Sequence, residues 1–197
     1  MIALWDLGNV VVNWDPEGIL KSLEFTESQT DYVRHQLLGH PDWLDIDRGV
    51  KTEDSVAARL LAESDLTIEQ ILFCFDTIRN SLQDIPRTID MIRQIKVTGV
   101  PMYVLSNMGE RNYQYLKPRE YFTWFDGVVI SAHEKLIKPE QELFELVLER
   151  YSLTASEVFF VDDSLPNIEA ARSVGMQALH FKRSEACYQA ISEAFDL

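Results

Sequence analysis

The sequence predicts an α/β protein: a doubly wound parallel sheet with an all-helical segment inserted after its first strand. Three observations predict it. Short apolar runs at residues 2–6, 101–106, 127–131, 158–162 and 176–181 are what strands buried on both faces of a parallel sheet show. Helical patterns separate most of these runs, and strand–helix alternation builds doubly wound sheets. Residues 15–85 carry helical periodicity and no convincing strand, far more chain than the roughly 2–6 residues a βα loop takes.

The first strand comprises Ile2, Ala3, Leu4 and Trp5, and stops on Asp6. Val10, Val11 and Val12 resume the apolar character after Gly8 and Asn9, which break a strand. Burying a charge between two such stretches costs several kcal/mol or neutralises it, so Asp6 asks for a functional reason. The inserted segment predicts helices over 27–38, 52–63 and 67–80. Thr52 and Thr67 stand as N-caps, followed by the stripes Val56, Ala57, Leu60, Leu61 and Ile71, Leu72, Phe75, Ile78. Trp14 and Asp15, where the insertion begins, suit a hinge. A helix over 86–97 opens on Pro86, aligns Ile89, Ile92 and Ile95, and ends before Gly99. Residues 140–150 place Glu140 and Glu142 in a first turn ahead of Leu143, Phe144, Val147 and Leu148; residues 166–174 stop at Gly175. The predicted organisation is an α/β core of 1–14 and 86–197 and a helical cap of 15–85. Such a cap would cover the carboxyl edge of the sheet, the crevice where open α/β sheets bind ligands.

Bulk properties exclude several classes. At 197 residues, with 46% apolar and 25% charged side chains, the chain has ordinary globular composition. It has no long low-complexity tract and no repeat at solenoid spacing. Its 32 acidic against 18 basic residues, net −14, argue against nucleic acid or an anionic membrane as partner. A small anionic substrate responds to one local field and is untouched by that argument. Cys74 and Cys187 stand far apart, outside metal or redox spacings. The apolar N-terminal run lacks a basic region and breaks at Asp6, unlike a secretion signal or a membrane span, which predicts a cytoplasmic protein.

Four polar clusters fall at predicted strand ends. Asp6 follows the first strand, Ser106 and Asn107 the second, Lys138 lies beyond the third, and Asp162 with Asp163 closes the fourth. Parallel strands bring their carboxyl ends to one edge, so these groups converge despite their separation. Carboxylates without a Cys or His cluster suit a hard cation such as Mg²⁺, which prefers oxygen ligands. His35, His40, His133 and His180 show no zinc spacing.

These residues resemble the haloacid dehalogenase (HAD) superfamily, whose Rossmann-like hydrolases are mostly phosphatases acting through an aspartyl-phosphate. The segments WDLGNVV, VLSN, KPE and VDDSLPN match its four motifs in order over essentially the whole chain. The variant DLGNV more narrowly resembles a bacterial branch that includes the α-D-glucose-1-phosphate phosphatase of enteric bacteria. The resemblance implies a small phosphorylated metabolite as substrate and Asp6 as the nucleophile. It implies Mg²⁺ held by Asp6, the Gly8 carbonyl and Asp163, with Asp162 a close alternative or water-mediated ligand. Ser106, Asn107 and Lys138 would bind the phosphoryl group, with Lys138 offsetting charge and Asn167 orienting Lys138.

Gly8 departs from the family pattern, which has a second aspartate there. Glycine keeps the carbonyl and loses the side chain that protonates the leaving oxygen, help typically worth 10²–10⁴-fold. That predicts a preference for anomeric sugar phosphates or acyl phosphates, unless Asn9 or a cap residue supplies the proton. Asp47, Arg48 and Gly49, between two cap helices, are within reach of the site, although loop geometry accounts for them almost as well. Trp43 and Phe73 fit the cap core, and His133 and Glu134 a surface loop. The competing readings are a metal-free 2-haloacid dehalogenase, against which the 162–163 acidic pair argues, and an inactive binding module. Oligomeric state leaves no mark in the sequence.

Overall fold

The computed structural model describes residues 1–197. Five parallel strands, β1 (Ile2–Trp5), β2 (Met102–Ser106), β3 (Gly127–Ile130), β4 (Val158–Asp162) and β5 (Gln177–His180), form one sheet in the order β3-β2-β1-β4-β5. β1 is central: Leu4 stands opposite Tyr103 on one side and Phe160 on the other. The chain therefore leaves the middle of the sheet at Asp6, flanked by the ends of β2 and β4.

Side chains alternate across the sheet, and each face is covered by helices. Ala3, Trp5, Met102 and Val104 pack with Ile89, Ile92 and Ile95 of α6 (Pro86–Thr98) and with Tyr188 and Ile191 of α11 (Glu185–Ala194). On the opposite face Leu4, Leu105 and Phe160 meet Leu143, Phe144 and Val147 of α9 (Gln141–Arg150) and Ile168 and Ala171 of α10 (Leu165–Ser173). α6 ends as its sequence requires, with Gly99 in the left-handed region at φ 80°.

The inserted segment is helical throughout: α1 (Pro16–Ser22), α2 (Glu27–Val33), α3 (Pro41–Asp47), α4 (Glu53–Glu63) and α5 (Ile68–Ser81). These helices gather around a cluster of their own, including Leu20, Val33, Ile46, Leu60, Phe75 and Ile78. Thr52 and Thr67 cap α4 and α5 as expected, each in a capping box. Residues 27–38 depart from one continuous helix: the last turn, Arg34–Leu38, widens to π geometry before Gly39. The short helices α1, α3, α7 (Glu110–Leu116) and α8 (Ser131–Glu134), together with α11, are additions to the sequence reading. The two connections to the sheet run side by side, with Asn13 N–H donating to the Gln83 carbonyl and Ile85 N–H to the Val11 carbonyl, both at 2.8 Å. No helix is long and apolar enough to cross a membrane.

One strip of the insertion, residues 46–49, is clamped onto the sheet domain. Arg48 makes a bidentate pair with Glu140 at 2.5 and 2.9 Å. Lys135 Nζ donates to the Gly49 carbonyl, and Ser131 Oγ to the Asp47 carbonyl. Gly49 sits at φ 74°, and a Cβ there would lie 2.1 Å from the Ala132 carbonyl oxygen. Gly99 has a similar φ but nothing within 4 Å of an added Cβ. Gly99→Ala should cost only left-handed strain, roughly 1–2 kcal/mol, whereas Gly49→Ala should cost more and loosen the clamp. Melting temperatures of the two variants, with limited proteolysis of the 15–85 segment, check this; equal losses would contradict the clamp.

Candidate active site

The site begins where β1 ends. Asp6 N–H donates to the Val161 carbonyl at 3.0 Å, the last link to β4. The Leu7 carbonyl then collects the N–H groups of Val10, Val11 and Val12 at 3.3, 2.8 and 2.9 Å, folding the chain into a tight loop with Asn9 at φ 54°. Gly8 does not owe its identity to this loop, because its φ is not positive and an added Cβ would meet only Asp6 Oδ2 at 3.9 Å.

Lys138, itself 3% exposed, ties the strand ends together. Its Nζ donates to Asp6 Oδ1 at 2.7 Å, Asp162 Oδ2 at 2.6 Å and the Leu105 carbonyl at 3.0 Å, which uses all three donors. Asn107 fixes the lysine's backbone: Lys138 N–H donates to Asn107 Oδ1 at 2.8 Å, and Asn107 Nδ2 to the Lys138 carbonyl at 2.9 Å. Asn107 keeps its second Nδ2 proton, with its backbone, for a phosphoryl group. Ser106 Oγ is buried and has no hydrogen-bond partner, a cost of about 1–3 kcal/mol for a group left unpaired and the mark of a donor awaiting an acceptor.

The two neighbouring carboxylates of β4 differ sharply. Asp162 is fully buried and saturated, accepting from Ser164 N–H at 2.8 Å, from Asn167 Nδ2 at 3.1 Å on both oxygens, and from Lys138. Asn167, expected to orient Lys138, reaches it through Asp162. Asp163 turns to the cleft and takes one side-chain bond, from Asn9 Nδ2 to Oδ2 at 3.0 Å.

Oxygens of Asp6, Asp162 and Asp163 lie within 4.8 Å of one another. Three carboxylates against one ammonium leave two negative charges uncompensated. Burial pushes the Asp6 carboxyl up to about 7; Lys138 opposes that rise, and the charge on Asp162 adds to it. Burial likewise raises Asp163 against the lowering effect of its bond from Asn9. For Lys138 burial works against the charge, yet Asp162 and Asp6 outweigh it and hold the ammonium above its usual range. A divalent cation is what this balance lacks. Asp6 and Asp163 each keep an oxygen outside the bonds described, so the donor set fits a small hard ion.

The cleft of about 370 Å³ above these groups is lined by Asp6, Gly8, Trp14, Trp43, Asp47 and Lys138 among others. Trp14 and Trp43, expected at a hinge and in the cap core, stack with ring centroids 5.4 Å apart and form part of its wall. Phe73 is 49% exposed rather than core, because Ile71, Cys74, Phe75 and Ile78 take the inner face of α5. His133 and Glu134, expected in a surface loop, lie instead in the short helix α8, where His133 pairs with Glu110 and Glu134 with Arg150. Sequence reasoning missed Arg183, whose guanidinium donates to the Asn9 carbonyl at 3.0 Å, to Asn9 Oδ1 at 2.8 Å and to Asn13 Oδ1 at 2.7 Å. It holds the asparagine that holds Asp163, and no sequence spacing signals it.

Comparison with known proteins identifies the family and the fold. The profile of the haloacid dehalogenase-like hydrolases matches residues 4–175. The chain is 30% identical over 189 residues to the sesquiterpene phosphatase astK of Aspergillus oryzae, covering 93% of this chain and 91% of that protein. It is 26% identical over 194 residues to drimenol cyclase drtB of Aspergillus calidoustus, covering 96% of this chain but only 35% of the cyclase. Among solved structures, the HAD family enzyme bt-2542 of Bacteroides thetaiotaomicron, in complex with magnesium and inorganic phosphate, superposes with TM-score 0.75 at 22% identity, covering 93% of this chain and 94% of that one.

Proposed function

The chain belongs to the haloacid dehalogenase-like hydrolases, and on that premise we propose that it is a Mg²⁺-dependent phosphatase of small phosphorylated metabolites, sugar phosphates among them. One observation carries the reading: three carboxylates of two strand ends converge, two of them on a single buried lysine, beneath a cleft of metabolite size.

In this reading Asp6 attacks phosphorus and carries the phosphoryl group as an acyl phosphate, which water then hydrolyses; one slow displacement becomes two faster ones. Asp6, Asp163 and the Gly8 carbonyl would hold Mg²⁺, whose charge would offset that of the phosphoryl oxygens. Ser106 Oγ and the backbone beyond it donate to those oxygens. Lys138 balances the charge of Asp6 and phosphate, and Asp162 with Asn167 keeps its ammonium in place. Fixed charge of this kind, placed where charge develops, is commonly the largest catalytic contribution. Residues 15–85 serve as a cap over the core of 1–14 and 86–197, and the Trp14–Trp43 stack offers a flat wall to the group that leaves.

Phosphate release from a panel of esters tests the reading. The panel holds glucose 1-phosphate, suggested by the DLGNV resemblance, glucose 6-phosphate, acetyl phosphate and, because astK is a sesquiterpene phosphatase, farnesyl phosphate. Turnover should fall at least about 100-fold with EDTA and return with Mg²⁺. Silence across the panel in Mg²⁺ overturns the reading, and EDTA-resistant halide release from 2-chloropropionate would replace it with dehalogenation.

A further inference from the structure

We propose that Asp47, reaching the cleft from the inserted segment, is the acid that protonates the leaving oxygen, the task that residue 8 cannot perform here. The inference rests on the phosphatase reading and names a further catalytic residue within it.

The loop after β1 has room for a side chain at residue 8 and no backbone need for glycine. A proton donor is therefore missing from a place that would accept one, and a donor is to be sought elsewhere around the same cleft. Among the residues lining that cleft the titratable ones are Asp6, Asp47, Lys138 and Asp163. Asp6 is the attacking group, Lys138 spends its three protons on Asp6, Asp162 and the Leu105 carbonyl, and Asp163 is committed to the cation. Asn9, Asn107 and Asn112 are amides and give up no proton. Asp47 remains.

Its position is built rather than incidental. Asp47 closes α3, and its carbonyl accepts from Ser131 Oγ, which in turn accepts from Met108 N–H at 2.9 Å. Its carboxyl lies beside Gly109, whose backbone N–H favours the charged form. Met108 and Gly109 directly follow Ser106 and Asn107, so the carboxyl is pinned against the loop that would cradle phosphate. Gly109 permits that approach, because a Cβ there would collide with Ile46 Cγ2 at 2.6 Å. The Arg48–Glu140 pair and the Gly49–Ala132 contact hold the same strip from the other side.

The protonation state suits the task. Burial pushes the Asp47 carboxyl up to about 7; the Gly109 N–H works against that rise and the charge on Asp6 adds to it. The nearby cations are engaged elsewhere: Arg48 with Glu140, Lys135 with the Gly49 carbonyl, Lys138 with Asp6 and Asp162, while His133 pairs with Glu110. Burial thus favours the protonated form of Asp47, the form a general acid needs.

The step balances. As an Asp6 oxygen bonds to phosphorus and the ester P–O bond breaks, the Asp47 proton passes to the departing oxygen, which leaves as an alcohol. In the second half water bonds to phosphorus, its proton returns to the Asp47 carboxylate, and the P–O bond to Asp6 breaks to release inorganic phosphate. With this donor the enzyme accepts ordinary alcohol phosphates, and the restriction to anomeric and acyl phosphates that Gly8 alone would impose is lifted.

Asp47→Asn, which keeps an oxygen beside Gly109 N–H, tests it through kcat/KM, since that ratio reports the first chemical step. For glucose 6-phosphate it should fall about 10²–10⁴-fold and lose its alkaline limb. For acetyl phosphate, whose leaving group needs no proton, kcat/KM should stay within about threefold of wild type, which also shows that the variant folds, while kcat falls on both substrates because the second half has lost its base. Adding Gly8→Asp to Asp47→Asn should recover part of the glucose 6-phosphate activity. Equal loss of kcat/KM on both substrates, or no loss on either, overturns the acid while leaving the phosphatase reading intact. Phosphate release from acetyl phosphate that is no faster for wild type than for Asp6→Asn overturns the phosphatase reading itself, and the acid with it.

Discussion

Asp6→Asn is expected to abolish phosphate release from every ester while leaving the fold intact. The amide oxygen still accepts from Lys138 Nζ, so the lysine keeps its three partners, but the amide is no nucleophile toward phosphorus. Phosphate-monoester hydrolysis is so slow without catalysis, with accelerations approaching ~10²¹, that residual transition-state binding cannot substitute for the missing covalent step. Activity should drop below about 10⁻⁴ of wild type, the scale seen when a nucleophile is removed from a hydrolase. The fold should not suffer. Oxygens of three carboxylates lie within 4.8 Å of one another with one ammonium among them, and removing one carboxylate charge relieves repulsion, so the metal-free melting temperature should equal or exceed that of wild type. Acid quenching with substrate labelled at phosphorus should trap a base-labile phosphoprotein in the wild type and none in the variant. A variant retaining about 1% of turnover, or a wild type that traps nothing under single-turnover conditions, would remove the covalent route.

Much of this architecture was legible in the chain, for a physical reason. Strands of a parallel sheet are buried on both faces, so each leaves an uninterrupted apolar run; residues 158–162 and Val158–Asp162 coincide, and the other four strands agree at their ends to within a residue or so. Convergence of Asp6, Ser106, Lys138 and Asp162 followed from the same rule, because parallel strands share a carboxyl edge. The short helices escaped because seven residues, as in α1 and α3, give two turns and too little periodicity to see. Within the site, spacing named the participants and not their bonds. That Asn167 serves Asp162, that Asn107 bonds its amide to the Lys138 backbone, and that Arg183 reaches back to Asn9 are outcomes of side-chain geometry across dozens of residues. The Trp14–Trp43 stack is of the same kind: α3 swings Trp43 onto a residue that the sequence places at the far end of a different connection.

Lys138→Met should damage both stability and catalysis, and the two losses separate experimentally. The ammonium is 1% exposed at its side chain and lies between Asp6 at 2.7 Å and Asp162 at 2.6 Å. Methionine matches its length and removes its charge, leaving Asp6 and Asp162 buried without a counter-ion. Breaking a buried pair from one side costs about 3–5 kcal/mol, which for a chain of this size lowers the melting temperature by roughly 10 °C. The penalty belongs to the stranded carboxylates rather than to the lost lysine, since Asp162 stays bonded to Asn167 and the Ser164 backbone while carrying an unopposed charge. Adding Asp162→Asn to Lys138→Met should therefore recover stability rather than lose more, a coupling that a double-mutant cycle measures directly. Saturating Mg²⁺ should narrow the stability gap of the single variant, because the ion replaces part of the missing positive charge. Catalysis should not return with it: losing one fixed charge at a developing anion costs about 10²–10³ in kcat, and neither Mg²⁺ nor Asp162→Asn puts an ammonium back beside Asp6. If the double variant instead melted below Lys138→Met, the lysine would be holding the core by packing, and its place as the electrostatic centre of the site would fall.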